Sequence, residues 1–163
     1  MSIAISAAPH IDTSALVKKL AAESKLDVVA DPTPTLVRAY GFQTLYDMPL
    51  PLQTGIRKRL IVEHKAALVG KPWLFEHGVF PWLADWMRWH WGHTPAEAWE
   101  EIIALGQACA AGYGRIVHVA DGPRKGYDGY AWLDVRNGRQ IDILLRQLYA
   151  QLGVADKVEI VSL

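Results

Sequence analysis

The strongest constraint on the fold is a regular alternation of short apolar segments with longer amphipathic ones along all 163 residues. The short segments predict buried strands near residues 2–6, 26–30, 73–76, 115–120 and 157–161. Helical periodicity predicts helices directly after residue 14 and near residues 35–40, 52–69, 79–91, 95–111 and 137–152. Strands separated by helices favour a parallel sheet with right-handed crossovers. We therefore predict a single α/β domain over residues 1–163, with helices on both faces of the sheet.

The composition of the chain argues against several classes of protein, including nucleic-acid-binding and membrane proteins. Lys plus Arg and Asp plus Glu both number 17, and this zero formal charge argues against a dominant electrostatic grip on nucleic acid or an anionic membrane. The single cysteine, Cys109, excludes an internal disulfide. The chain shows neither a signal-peptide pattern nor an apolar run of the roughly 20 residues that a membrane span needs. We expect a soluble cytoplasmic domain.

The turn after the first predicted strand has the outline of a phosphate-binding loop. Such a loop reads G-x-x-x-x-G-K-[ST] between a strand and a helix. Here Ala7 holds the first glycine position, Asp12 the second and Thr13 the lysine position, while Pro9 lies inside the loop. Only Ser14 fits the pattern. The scaffold of the loop is present, and the residues that handle phosphate are missing.

These departures act against phosphate binding in three ways. Ala7 and Asp12 carry a Cβ where the loop needs glycine. The Asp12 carboxylate lies at a helix N-terminus, where it would repel a phosphate. Thr13 cannot supply the missing positive charge. Three interpretations of this turn stay open: an ordinary helix cap, a residual anion site and an unusual active loop.

The order of landmarks along nearly the whole chain resembles the P-loop NTPases of the thymidylate-kinase-like and deoxynucleoside-kinase-like group, including the small AAA-type nucleotide kinases. After the N-terminal strand, turn and helix come Asp31-Pro32, Phe75-Glu76-His77, a strand at 113–119 and an acidic-Gly step at Asp128-Gly129. The resemblance implies a three-layer P-loop kinase-like fold whose five-stranded parallel sheet has the order 2-3-1-4-5. Active members of the group use ATP and Mg²⁺.

The resemblance also assigns roles to single residues. Asp31 and Glu76 would be a general base or Mg²⁺ ligands in an active member; the alternative is a pair of acids that make structural hydrogen bonds. Asp128, Arg136 and Arg139 take lid-like positions. His77 stands where the group prefers arginine, and Tyr130-Ala131 supplies no lid arginine.

A tryptophan-rich segment is the most unusual local composition. Trp82, Trp86 and Trp89 are spaced i, i+4, i+7, so they share one face of a predicted helix. This face can pack in the core or against a partner, since tryptophan is enriched at interfaces. We expect at least one of the three to contact a protein partner or a second copy of the chain.

Other residues support weaker alternatives. His77, His90 and His93 invite a zinc site, but their spacing matches no zinc signature, and we expect no metal. The run Arg57–Arg59 predicts a solvated helix face, and Thr94–Glu97 predicts a capping box.

The leading hypothesis is a catalytically degenerate P-loop kinase-like protein, not an enzyme, repurposed for protein binding or assembly and needing no cofactor. The alternative is an active nucleoside or nucleotide kinase with a divergent phosphate loop, which would require ATP and Mg²⁺.

Overall fold

A computed structural model describes residues 1–125 and 135–163 of the chain. Its sheet has five strands in the order β2-β3-β1-β4-β5, and every neighbouring pair is parallel. The strands are β1 (Ile3–Ala7), β2 (Val28–Val29), β3 (Leu74–Phe75), β4 (Arg115–Asp121) and β5 (Val158–Ser162). The predicted α/β class, the parallel sheet and its strand order are confirmed.

Helices flank the sheet and connect its strands. They are α1 (Ser14–Ser24), α2 (Thr33–Ala39), α3 (Leu50–Ala67), α4 (Val79–His90), α5 (Ala96–Ala110) and α6 (Val135–Gln151). Short 3₁₀ turns lie at Leu45–Asp47, Trp91–His93 and Ala155–Lys157. Each predicted strand and helix is present, with its ends within two residues of the predicted ones. Within residues 1–125 and 135–163, no helix is long and apolar enough to cross a bilayer.

A buried polar cluster fixes the point at which α4 begins. The hydroxyl of Tyr113 accepts the Val79 N–H at 3.2 Å and lies 2.8 Å from Nε2 of His64. The His64 ring stacks on Phe75 of β3, with 3.8 Å between the ring centroids. Burial lowers the pKa of His64 to about 3, so this imidazole is neutral at physiological pH. The cluster therefore sets the direction in which α4 leaves the end of β3.

The capping prediction needs correction. The Thr94 hydroxyl donates to the His90 carbonyl at 2.8 Å, which satisfies the end of α4 instead of the start of α5. A complete capping box forms at Thr44 and Asp47 instead, around the 3₁₀ turn between α2 and α3.

Two of the three predicted interface tryptophans lie in the core. Trp82 and Trp86 are only 6% and 0% exposed. Trp86 stacks on Trp99 of α5 at 5.0 Å, since α4 is covered by both α5 and α6. Their helical spacing thus reflects packing within the chain, which corrects the interface prediction for these two residues. Trp89 is half-buried against Tyr46, with 5.6 Å between the rings.

Candidate functional site

A cavity of about 330 Å³ opens at the carboxyl ends of β1, β2 and β3. Ligands bind at this edge in open α/β sheets. The lining brings together most of the predicted site residues: Ala7, Pro9, Asp12, Thr13, Ser14, Asp31, Glu76 and Trp82. Leu45 and Tyr46 of the α2–α3 connection, His77, Asp85 of α4 and Lys125 complete the wall together with apolar residues.

Backbone bonds within the chain occupy the β1–α1 loop. The Ile11 N–H donates to the Ala8 carbonyl at 3.0 Å, and residues 10–12 pair with residues 123–125 in an antiparallel bridge. The bridge bonds are Asp12 N–H to Pro123 O and Lys125 N–H to His10 O, both at 2.8 Å. Phosphate loops instead direct such N–H groups at the bound phosphate. The N–H groups of Ile11 and Asp12 are therefore already satisfied by the protein.

The His10 ring of this loop also lies close against α6 at Gly138. A Cβ on Gly138 would come within 2.0 Å of Nδ1 of His10, so the close approach of the ring requires glycine at this position. Burial is the main cause that lowers the pKa of His10.

The Asp12 carboxylate stands at the start of α1. Its Oδ1 accepts the Ser14 N–H at 2.9 Å. Hydrogen bonds from Ser14 hold the pKa of Asp12 below its usual value, so the group is ionised at neutral pH. The Thr13 side chain makes no capping bond to the described residues, which leaves Asp12 as the capping side chain. The protein thus places its own anion at this helix N-terminus.

The two predicted carboxylates differ in their environment. Oδ1 of Asp31 accepts hydrogen bonds from the Thr33 backbone N–H at 3.0 Å and from the Thr33 hydroxyl at 2.6 Å. Asp31 therefore stabilises the start of α2. Glu76 follows β3 directly, and its N–H donates to the Val29 carbonyl at 3.0 Å. Within the described part of the chain, the Glu76 carboxylate forms no hydrogen bond or ion pair. Asp31 therefore has hydrogen-bond partners within the chain, whereas the Glu76 carboxylate at the cavity wall has none among the described residues.

An ion pair beside the cavity was missed by sequence reasoning. Nη2 of Arg57 lies 2.6 Å from Oδ2 of Asp85, and the Tyr46 hydroxyl donates to Oδ1 at 2.9 Å. Burial is the main cause that raises the pKa of Tyr46, and Asp85 adds to it. Arg57 is only 2% exposed, which corrects its predicted place on a solvated face.

A signal for this burial was present in the sequence. The buried residues of α3 recur every three or four positions, and residue 57 falls among them: Gln53, Ile56, Arg57, Leu60, Ile61 and His64.

The histidines of the zinc alternative do not come together in one site. His77 stacks on Trp82 at 5.3 Å, and Nε2 of His90 lies 2.8 Å from the Gln53 Oε1. Burial is the main cause that lowers the pKa of His90. The residues that the structure describes contain no group of three or more His, Cys, Asp or Glu placed to hold a metal ion.

The lid-like residues are only partly described. Arg136 and Arg139 lie exposed in the first turns of α6 and do not line the cavity. Asp128 lies outside the described residues.

Comparisons with known proteins support the architecture. No family model matches the sequence, and a search of curated proteins finds no relative. The chain is similar to the crystal structure of NadR protein in complex with NR, with a TM-score of 0.68 and 15% identity over 98% of this chain. The chain has a P-loop kinase-like fold. NadR protein in complex with NAD and AMP-PNP is similar too, with a TM-score of 0.66 and 13% identity over 98% of this chain.

The limits of this likeness matter for function. This chain spans 43% of the length of each NadR chain. At such identities the likeness describes the fold alone. The finer resemblance to the thymidylate-kinase-like and deoxynucleoside-kinase-like group stays a prediction.

Proposed function

We propose that this chain is a catalytically degenerate P-loop kinase-like protein that works as a binding module. The observation that carries the proposal is the bond from the Ser14 N–H to the Asp12 carboxylate, 2.9 Å long, at the start of α1. A nucleotide phosphate would need this same helix end. The carboxylate both takes the favourable position and repels a second anion.

The rest of the loop supports the same conclusion. Thr13 has no charge to offer the β- and γ-phosphates, where a working loop carries lysine. The N–H groups of Ile11 and Asp12 are bonded to carbonyls of Ala8 and Pro123. ATP would therefore have to break internal bonds in order to bind.

For the binding role, the cavity is the better supported surface. It has the size of a small-molecule site and combines apolar walls with a few polar groups. A protein partner or self-association is a second candidate, because Trp91 at the end of α4 is 60% exposed and contacts Trp99 edge-on.

The Glu76 carboxylate favours one alternative, an active nucleoside or nucleotide kinase. It stands at the carboxyl end of β3, where a general base or Mg²⁺ ligand would serve phosphoryl transfer. Such an enzyme would need ATP, Mg²⁺ and a cation that replaces the missing lysine.

Calorimetric titration with ATP–Mg²⁺ and with pyrophosphate separates these functions. We expect no saturable binding of either ligand by the wild-type chain at low millimolar concentration. Ser14→Tyr serves as the control, because a bulky side chain there would block any phosphate at the start of α1. A micromolar Kd for ATP that is abolished in Ser14→Tyr would contradict the proposal.

A further inference from the structure

The walls of the cavity carry an excess of negative charge. The described lining residues include four carboxylates and one basic side chain: Asp12, Asp31, Glu76, Asp85 and Lys125. Three of the carboxylates have partners in this chain, namely Ser14 for Asp12, Thr33 for Asp31, and Arg57 with Tyr46 for Asp85. Within the described residues, Glu76 alone among the four makes no such bond. Its charge is the one that a ligand can neutralise.

Aromatic rings line the same cavity as this carboxylate. Trp82 lines the cavity with the His77 ring stacked on it, 5.3 Å away and tilted by 25°. Tyr46 contributes a second ring to the lining. Aromatic faces attract positive charge, most strongly when water is excluded. Rings and carboxylate therefore favour the same kind of ligand.

From this geometry we infer that the cavity binds a small aromatic cation, and that Glu76 is its counter-ion. The cavity volume of about 330 Å³ suits a ligand of one or two rings. The inference rests on the proposed function, since a phosphotransferase would use this space for its phosphoryl acceptor. The inference adds the chemical class of the ligand, which the β1–α1 loop does not indicate.

Three probes of nearly equal shape test the charge preference: 4-hydroxybenzamidine (cationic), 4-hydroxybenzamide (neutral) and 4-hydroxybenzoate (anionic). Each carries the same hydroxyl on its ring, so the three probes differ only in the charged or neutral group opposite to it. Calorimetry or ligand-observed NMR on the wild-type chain should give at least about tenfold tighter binding of the amidine than of the amide. The benzoate should bind most weakly, because like charges repel.

Two variants test whether Glu76 causes the preference for the amidine over the amide. Glu76→Gln keeps the shape of the side chain and removes its charge, so the amidine should lose its advantage over the amide. Glu100→Gln makes the same change in net charge on the exposed surface of α5 and should leave the advantage intact. Thermal melts of both variants confirm that each is folded.

Three results would overturn the inference: benzoate binding as tight as amidine binding, an unchanged preference in Glu76→Gln, or binding of none of the probes. The ATP–Mg²⁺ titration is run on the same samples. Micromolar ATP binding would contradict the proposed function, whereas a missing charge preference without ATP binding contradicts only the ligand class.

Discussion

Arg57 has a buried guanidinium next to the cavity, so its substitution should affect stability strongly. It bonds Asp85 at 2.6 Å and Gln53 at 3.2 Å. Buried ion pairs often add little net stability, because both charges lose their hydration. Removing one partner is costly for the same reason. The pair positions the Asp85 carboxylate at the cavity wall, which is its main contribution.

Arg57→Ala is expected to lower the free energy of unfolding by about 3–5 kcal/mol, because it leaves the Asp85 charge without its counter-ion. The neighbouring Lys58→Ala is the control. Lys58 pairs with Glu101 on the surface, so its loss should cost less than about 1 kcal/mol. Urea unfolding followed by tryptophan fluorescence measures both values, and equal effects would contradict a buried pair.

His64 makes a second residue-level prediction. Burial lowers its pKa in the folded chain to about 3, below the value near 6.5 expected after unfolding. Between these values the unfolded chain binds the extra proton, so stability falls as the pH drops below about 6.5. Above that pH, the contribution of His64 is constant.

The change is about 1.4 kcal/mol per pH unit at most, or roughly 2 kcal/mol between pH 7 and pH 5. The difference in unfolding free energy between the wild type and His64→Gln separates the pH-dependent contribution of His64 from the contributions of the other histidines. We expect that difference to shrink by about this amount as the pH falls. A difference that is independent of pH would contradict the lowered pKa, because it would show that His64 has the same pKa in the folded and unfolded chains.

Helix α4 connects the core to the cavity. Its first two turns are almost entirely buried, whereas the chain beyond them carries the half-buried Trp89 and the exposed Trp91. Periodicity in the sequence identified the helix and its tryptophan face correctly. It could not tell a face that packs on α5 and α6 from a face that meets a partner, since both produce the same spacing.

The two ends of α4 should therefore respond differently to truncation. Trp86→Ala is expected to cost about 3–5 kcal/mol, because it opens a cavity in the core. Trp91→Ala should leave the melting temperature nearly unchanged. If the chain self-associates through this end of α4, light scattering will show weaker association of Trp91→Ala, as for an interface anchor. A folded wild type that stays monomeric at all concentrations would remove the case for self-association here.

Across the whole molecule, 17 basic and 17 acidic residues cancel, but the charge at the cavity does not. The alternation of short and long segments predicted the parallel sheet and the place of Asp31, Glu76 and the 7–14 turn, whereas the strand order came from the resemblance to P-loop kinases. The carboxyl ends of parallel strands meet at one edge, so strand order alone brings these residues together. Tyr46 and Asp85 could not be placed in this way, because their meeting depends on the path of residues 41–49 over α4.

The antiparallel bridge between residues 10–12 and 123–125 has a consequence for how this protein can change over generations. Placing glycine and lysine in the β1–α1 loop would not free the N–H of residue 12, which is bonded to the Pro123 carbonyl in a segment more than a hundred positions away. Substitutions in either segment alone would meet an unaltered partner in the other. Phosphate binding at this loop would need coordinated substitutions in both segments, so the bridge makes the evolution of each segment depend on the other.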